Sequence, residues 1–268
     1  MGSNTPFEDK SSSPIHSESR DSEQQTDKVY AEKLRKVAPF EFNEEVVHVF
    51  PDMIERSVPG YRAVLDMTKV VANEFVRPGT TVYDLGCSLG ATTRAIMSGI
   101  DPLPEGTACR IIAVDNALAM VQECKRRLNS TPDHIQLEIE LGDIRQQPIQ
   151  NASLVTLNYT LQFIPLKERL PLLVRIHEGL VPGGALILSE KIVSSDATHQ
   201  DILTTLHHGF KRMNGYSDLE ISQKRSALEN VLVPESIADH ENRLNEAGFS
   251  TSMVWYQSLT FVSILAIK

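Results

Sequence analysis

The chain has 268 residues, 26 basic against 35 acidic, for a net charge of −9. A protein that grips nucleic acid needs cations to displace phosphate counterions, so this balance speaks against direct RNA or DNA binding and for small-molecule chemistry. No apolar run approaches the ~20 residues that span a bilayer, no apolar signal core opens the chain, and three scattered cysteines make neither a disulfide frame nor a zinc knuckle, so no membrane or metal partner and a cytoplasmic location are expected.

Residues 1–28 are rich in Ser, Asp, Glu and Gln, with only Met1, Phe7 and Ile15 apolar. Such a segment buries too little surface to offset its ordering entropy, and a disordered tail is expected, followed by a single domain over 29–268. Asn43-Glu44-Glu45 suits a helix start. Pro59-Gly60 breaks that pattern, and a second helix is expected over Tyr61–Phe75, where Val64, Leu65, Met67, Val70 and Val71 recur at helical spacing. Strand and helix then alternate. Strands are expected over Thr80–Leu85, Arg110–Val114, Ile135–Leu141, Ser153–Leu157 and Ala185–Ser189. Helices are expected over Ala91–Ser98, Ala117–Leu128 (capped by Asn116) and Leu166–Leu180, the last stopped by Val181-Pro182-Gly183-Gly184. This rhythm predicts an α/β fold, a doubly wound and mostly parallel sheet of seven strands. Thr251–Gln257 and Thr260–Lys268 read as a closing hairpin, which makes the last strand antiparallel. The charged helical stretch over about 192–246 interrupts the rhythm at the carboxyl edge of the sheet and is expected to form a cap over a ligand.

The stretch Tyr83–Gly90, "YDLGCSLG", admits three readings. As G-x-S-x-G it would hold a serine nucleophile, but it follows the first strand, no oxyanion loop of the His-Gly-Gly type lies upstream, and the last histidine, His240, lies in a helical stretch well before the terminal hairpin. As a dinucleotide loop it lacks the second glycine that lets pyrophosphate approach, since Ser88 stands there. An S-adenosylmethionine (SAM) site tolerates Ser88, because SAM carries no phosphate. In that reading Asp84 takes the cationic ammonium and Asp115 the ribose diol. Asp143, with Ile144 as apolar wall, takes the adenine, and Asn158 faces the reacting centre. Each polar group follows an apolar strand, so all share one rim of the sheet. Strand-end Asp and Asn are also common turn-formers, and it is their joint register that favours a site. Cys87 reads as a small buried filler.

The loop and the strand-end acids resemble class I SAM-dependent methyltransferases. Phe50–Tyr61 "FPDMIERSVPGY", Val82–Gly90 "VYDLGCSLG", "NASLVTLNYTLQF", "VPGGALILSEK" and Met213–Val231 "MNGYSDLEISQKRSALENV" more closely resemble the carboxy-S-adenosyl-L-methionine synthase family, over about residues 40–268. The resemblance implies an enzyme that converts SAM and prephenate into carboxy-SAM and phenylpyruvate, its product serving a separate enzyme that modifies wobble uridine in tRNA. It also implies that Tyr61, Gly86, Cys87, Ser88, Asp115, Asn116, Asp143, Ile144 and Asn158 contact SAM and that Arg225 clamps a carboxylate, in its own or a neighbouring subunit. Lys191, His207, His208 and Arg212 are candidates to extend the anion site. An ordinary SAM-dependent methyltransferase acting on a small acid or tRNA is the alternative, and a non-catalytic SAM-binding partner a third. The exposed helices of the cap fit a symmetric homodimer.

Overall fold

Apolar residues alternate along the strands and so feed two cores, one on each face of a sheet. Val82, Ile111, Ala113, Leu154 and Ile187 point to one face, and Tyr83, Leu85, Ile112, Val155 and Leu188 to the other. The computed structural model describes residues 25–100 and 107–268. Its strands are β1 (Thr81–Leu85), β2 (Cys109–Asp115), β3 (Ile135–Leu141), β4 (Ala152–Asn158), β5 (Leu180–Lys191), β6 (Thr251–Ser258) and β7 (Phe261–Ile267). They form one seven-stranded sheet in the order β3-β2-β1-β4-β5-β7-β6. All neighbours are parallel up to β5, and β7 runs antiparallel to both β5 and β6. The expected fold class and the closing hairpin are therefore present. The strand order reverses between β1 and β4, and the crevice outside their carboxyl ends is where such sheets bind ligands.

Helices α1 (Glu44–Ser57) and α2 (Tyr61–Phe75) precede the sheet. The Asn43 side chain accepts from Val46 N and caps α1, as its residue type predicts. Helices α3 (Ala91–Ile100), α4 (Leu118–Arg127) and α5 (Leu166–Gly179) are the crossovers, and α6 (Ala197–Met213), α7 (Asp218–Leu228) and α8 (Ile237–Glu246) follow β5.

The structure departs from expectation in four places. Asn116 does not cap α4; Ala117 takes that position, and the Asp115 carboxylate accepts its N–H at 2.9 Å. Leu180–Gly184 is not only a helix stop: the backbone enters β5 early, with a register shift against β4 between Ala152 and Leu154. Only α6 and α7 of the expected insertion form the cap. Helix α8 packs on the sheet layer, because Leu244 and Ala247 join the core of that face. The expected tail lies mostly outside the described residues, but within it Asp27 is 2% exposed, held by Tyr216 and Asp52.

The turn before α2 is sterically committed. Gly60 sits at φ 78°, and a Cβ there would lie 1.6 Å from the Tyr256 hydroxyl of β6. Left-handed backbone and overpacking together make Gly60→Ala destabilising by about 2–4 kcal/mol. Thermal unfolding checks this, with a melting midpoint lower by roughly 5–15 °C expected and an unchanged one contradicting it.

Candidate active site

A cavity of about 990 Å³ opens at the crevice between β1 and β4. Its floor is the rim read from the sequence, and its roof is α1, α6 and α7. Tyr61, Gly86, Cys87, Ser88, Asp115 and Asn116 line it, as do Asp143, Ile144 and Asn158.

The glycine loop is tied down by its own backbone. Gly86 N and Cys87 N donate to Val114 O, and Gly90 N to Cys87 O. Ser88 N donates to Asp115 Oδ2 at 2.9 Å. Those four N–H groups are spent, so the loop offers no cradle of the kind that holds pyrophosphate. Gly86 is obligatory at φ 87°, since a Cβ there would meet Thr160 Oγ1 at 2.2 Å. Ser88 is also left-handed, at φ 48°, but its hydroxyl faces Met120 Sδ at 3.6 Å, which cannot activate a nucleophile. The Cys87 thiol is buried and pushed up by its hydrogen bond with Cys124 and by burial, which suits a filler rather than a thiolate.

The acids on the rim differ in availability. Asp115 uses one lone pair on each oxygen, for Ser88 N and Ala117 N, and keeps capacity for two further donors at a bidentate spacing. Burial raises its pKa. Asp84, expected to face the ammonium, is instead beneath the loop and off the cavity wall. It accepts from Thr93 at 2.6 Å and Thr156 at 2.8 Å, and burial pushes its carboxyl up to about 6. The reason is pleat: Asp84 points to the face covered by α3. Asp143 lies on the wall, but Arg145 already pairs with it at 2.6 Å and holds its carboxyl below the usual range, leaving the apolar Ile144 as the free surface there. Phe40, Phe42, Phe50 and Phe163 add an edge-on aromatic group to the same cavity, with centroids 5.0–5.9 Å apart.

Asn158 is oriented from both sides. Its Oδ1 accepts from Ser189 Oγ at 2.6 Å, and its Nδ2 donates to Thr92 Oγ1 at 3.1 Å. Tyr159, which sequence reasoning missed, follows at φ 58° with a buried hydroxyl that has no partner among the described residues. Its ring centroid is 6.1 Å from that of Tyr61, and the two present aromatic surface to a cationic ligand. This strained turn is held by buried groups. Glu190 accepts from Leu161 N and Gln162 N, and burial pushes its carboxyl up to about 8. The Gln162 side chain donates to Tyr159 O, and the fully buried Arg169 binds Ile164 O, Gln162 O and Val233 O and pairs with Glu235.

Within its own chain the expected anion clamp does not reach the cavity. Arg225 is exposed and off the wall, whereas Lys224, one residue earlier on α7, is buried and on it. Successive helical residues are turned by about 100°, so the two cannot face the same way. Lys224 Nζ donates to Ser57 Oγ at 3.0 Å and lies 3.7 Å from the Asp27 carboxylate. Lys191 and His207 reach the cavity as supposed; His208 and Arg212 do not line it, and Arg212 pairs outside with Asp218. Lys211, unanticipated, does line it. Burial, Lys224 and Lys191 bring Lys211 down to about 7, and burial brings Lys224 down to about 8. Burial lowers His207 to about 3; its neutral ring donates from Nε2 to Ser57 O at 2.8 Å. One cavity thus joins an acid-ended rim to a lysine-rich compartment.

Curated relatives cover almost the whole chain. A carboxy-S-adenosyl-L-methionine synthase of Marinobacter nauticus is 50% identical over 246 residues, 92% of this chain and 96% of the relative. One from Hahella chejuensis is 51% identical over 243 residues, 90% of this chain and 98% of the relative. The chain belongs to the carboxy-S-adenosyl-L-methionine synthase family. A methyltransferase-domain model matches residues 82–184, the stretch that carries the rim. Among solved structures, human N-acetylserotonin methyltransferase in complex with SAM aligns with TM-score 0.56 at 20% identity, over 84% of this chain and 55% of that one. The cyclopropane synthase MmaA2 from Mycobacterium tuberculosis aligns at 0.53 and 15%, over 72% and 62%. At that distance the likeness speaks for the fold alone. The family makes this chain an enzyme that uses SAM, and the site fits it: Asp115 for a diol, apolar and aromatic walls for a base, and Tyr61 with Tyr159 for a sulfonium. No helix among the described residues is long and apolar enough to cross a membrane.

Proposed function

We propose that the enzyme carboxylates the sulfonium methyl group of SAM with prephenate as carboxyl donor, forming carboxy-SAM and phenylpyruvate. The observation that carries this reading is the lysine compartment beside the SAM rim. A dicarboxylate needs cations, and Lys191, Lys211 and Lys224 supply them inside a cavity where each is worth more than in water. Prephenate loses its ring carboxylate as carbon dioxide and its ring hydroxyl as hydroxide, which makes the ring aromatic. The hydroxide takes a proton from the sulfonium methyl to give water and an ylide, and the ylide carbon attacks carbon dioxide before it escapes. The chain's task is to hold two reactants together and exclude water. The product would serve a separate enzyme that modifies wobble uridine in tRNA; the net charge of −9 suits a cytoplasmic chain that need not touch tRNA.

Purified protein given SAM and prephenate should return a cofactor heavier by one carbon dioxide, together with phenylpyruvate. A demethylated cofactor would favour the second reading, methyl transfer to a small acid or tRNA, for which the SAM rim alone suffices.

The pH dependence follows from the lysines. Lys211 and Lys224 are charged below about 7 and about 8 and lose that charge as pH rises through these values. The KM for prephenate should therefore be lowest on the acid side and climb between roughly pH 7 and 8, while the SAM KM stays flat. A prephenate KM that does not change across that window would contradict the assignment.

Arg225 fits a clamp acting across a homodimer. It is exposed beside α6, which leaves Ile202, Leu206 and the 79% exposed Met213 uncovered, a face for a second copy. Mixing inactive Arg225→Ala and Asp115→Ala chains should restore up to about a quarter of the activity, because half the randomly mixed dimers hold one complete site. No recovery would place Arg225 in its own subunit's site or outside the mechanism.

A further inference from the structure

Lys191 ends β5, Lys211 stands on α6 and Lys224 on α7, and all three side chains converge on the cavity. Lys224 has Ser57 and Asp27 as partners. The ammonium groups of Lys191 and Lys211 have no hydrogen-bond or ion-pair partner among the described residues. One buried and two half-buried like charges at one cavity wall, with one carboxylate among them, are held more cheaply when one amine is neutral. Burial first, and then Lys224 and Lys191, make Lys211 the amine that loses its proton most readily; Lys191 feels burial and Arg225, and Asp27 partly offsets the burial of Lys224. The remaining group on this wall is His207, neutral and engaged with Ser57. A desolvated lysine beside other cations is the arrangement that makes an amine nucleophilic near neutral pH.

We propose that Lys211 reversibly captures carbon dioxide as a carbamate, held as an anion between the Lys191 and Lys224 ammonium groups. The neutral Nζ attacks the carbon of carbon dioxide, an N–C bond forms as one C=O π bond opens onto oxygen, and one proton leaves Nζ for solvent at the cavity mouth. The reverse step breaks the N–C bond, returns the proton and frees carbon dioxide. Capture places an anion beside Lys191, whose ammonium has no other partner among the described residues. On the reading given under Proposed function, the carbamate keeps the carboxyl equivalent beside the sulfonium rather than losing it to solvent. The capture itself needs neither SAM nor prephenate, so it stands or falls separately from that reading.

The full chain is equilibrated with carbon-13 bicarbonate and dissolved carbon dioxide at about pH 8, without SAM or prephenate, where the Lys211 amine is largely neutral. Carbamates are fixed by O-alkylation with triethyloxonium and located by peptide mass spectrometry, and a parallel carbon-13 NMR spectrum records the carbamate resonance. The label is expected on Lys211, with the resonance lost in Lys211→Met and retained in a variant of the exposed Lys125, Lys125→Met. Because the label is mapped on the unaltered chain, the result does not depend on the variants folding. An unlabelled Lys211, a label on Lys191 in its place, or a label spread over exposed lysines would overturn the proposal.

Discussion

Lys211→Met is expected to raise the KM for prephenate on the order of 10²-fold, since removing one partner of a desolvated charge pair costs about 2–5 kcal/mol. The affinity for SAM should stay within about twofold, because the rim that binds it is untouched. The melting midpoint should not fall. Lys211 has no polar partner among the described residues, and its depressed pKa means that burial and two neighbouring lysines already penalise its charge. Methionine fills similar space without that penalty. Steady-state kinetics, SAM titration and thermal unfolding together separate a substrate-binding lysine from a structural one. A lower midpoint with an unaltered prephenate KM would assign Lys211 to the fold and remove it from the site.

Asp115→Ala is expected to weaken SAM binding by 10²-fold or more. Two charge-assisted bonds to a ribose diol are lost, each worth about 1.5–3 kcal/mol. The substitution also orphans Ser88 N and Ala117 N, which the carboxylate now holds, so the loop loosens as well. Asp115→Asn keeps the size and one acceptor oxygen and should retain part of the affinity. Calorimetric titration of SAM tests the series; alanine binding as tightly as aspartate would show that the diol is held elsewhere.

The rim was legible because a strand writes its end into the sequence. Apolar runs such as "RIIAV" and "LVTL" stop at Asp115 and Asn158, and parallel strands place their ends on one edge. Asp84 shows the limit of that logic. It belongs to the same strand-end pattern, but the pleat turns it under the loop, toward Thr93 and Thr156. The roof was not legible. Lys191, Lys211 and Lys224 come from three separate elements and converge only through the packing of α6 and α7. A lysine in a charged helix ordinarily reads as solvated, and nothing in "SQKR" says that Lys224 turns inward while Arg225 turns out. Asp27 was hidden for a related reason: it lies in a polar segment whose composition predicts disorder, yet Tyr216 and Lys224 hold it in place. Tyr159 carried no signal either, because its left-handed backbone depends on side-chain contacts of Gln162 and Arg169 and on the buried Glu190, which lies 28 residues beyond Gln162.

The most direct test follows the carboxyl carbon. Prephenate labelled with carbon-13 in its ring carboxylate is incubated with SAM and the enzyme in unlabelled bicarbonate, and the cofactor is analysed by mass spectrometry. A cavity that retains the carbon dioxide until the ylide takes it should deliver the label into carboxy-SAM almost undiluted. Label appearing only in bulk bicarbonate, with the cofactor unchanged or demethylated, would contradict the account.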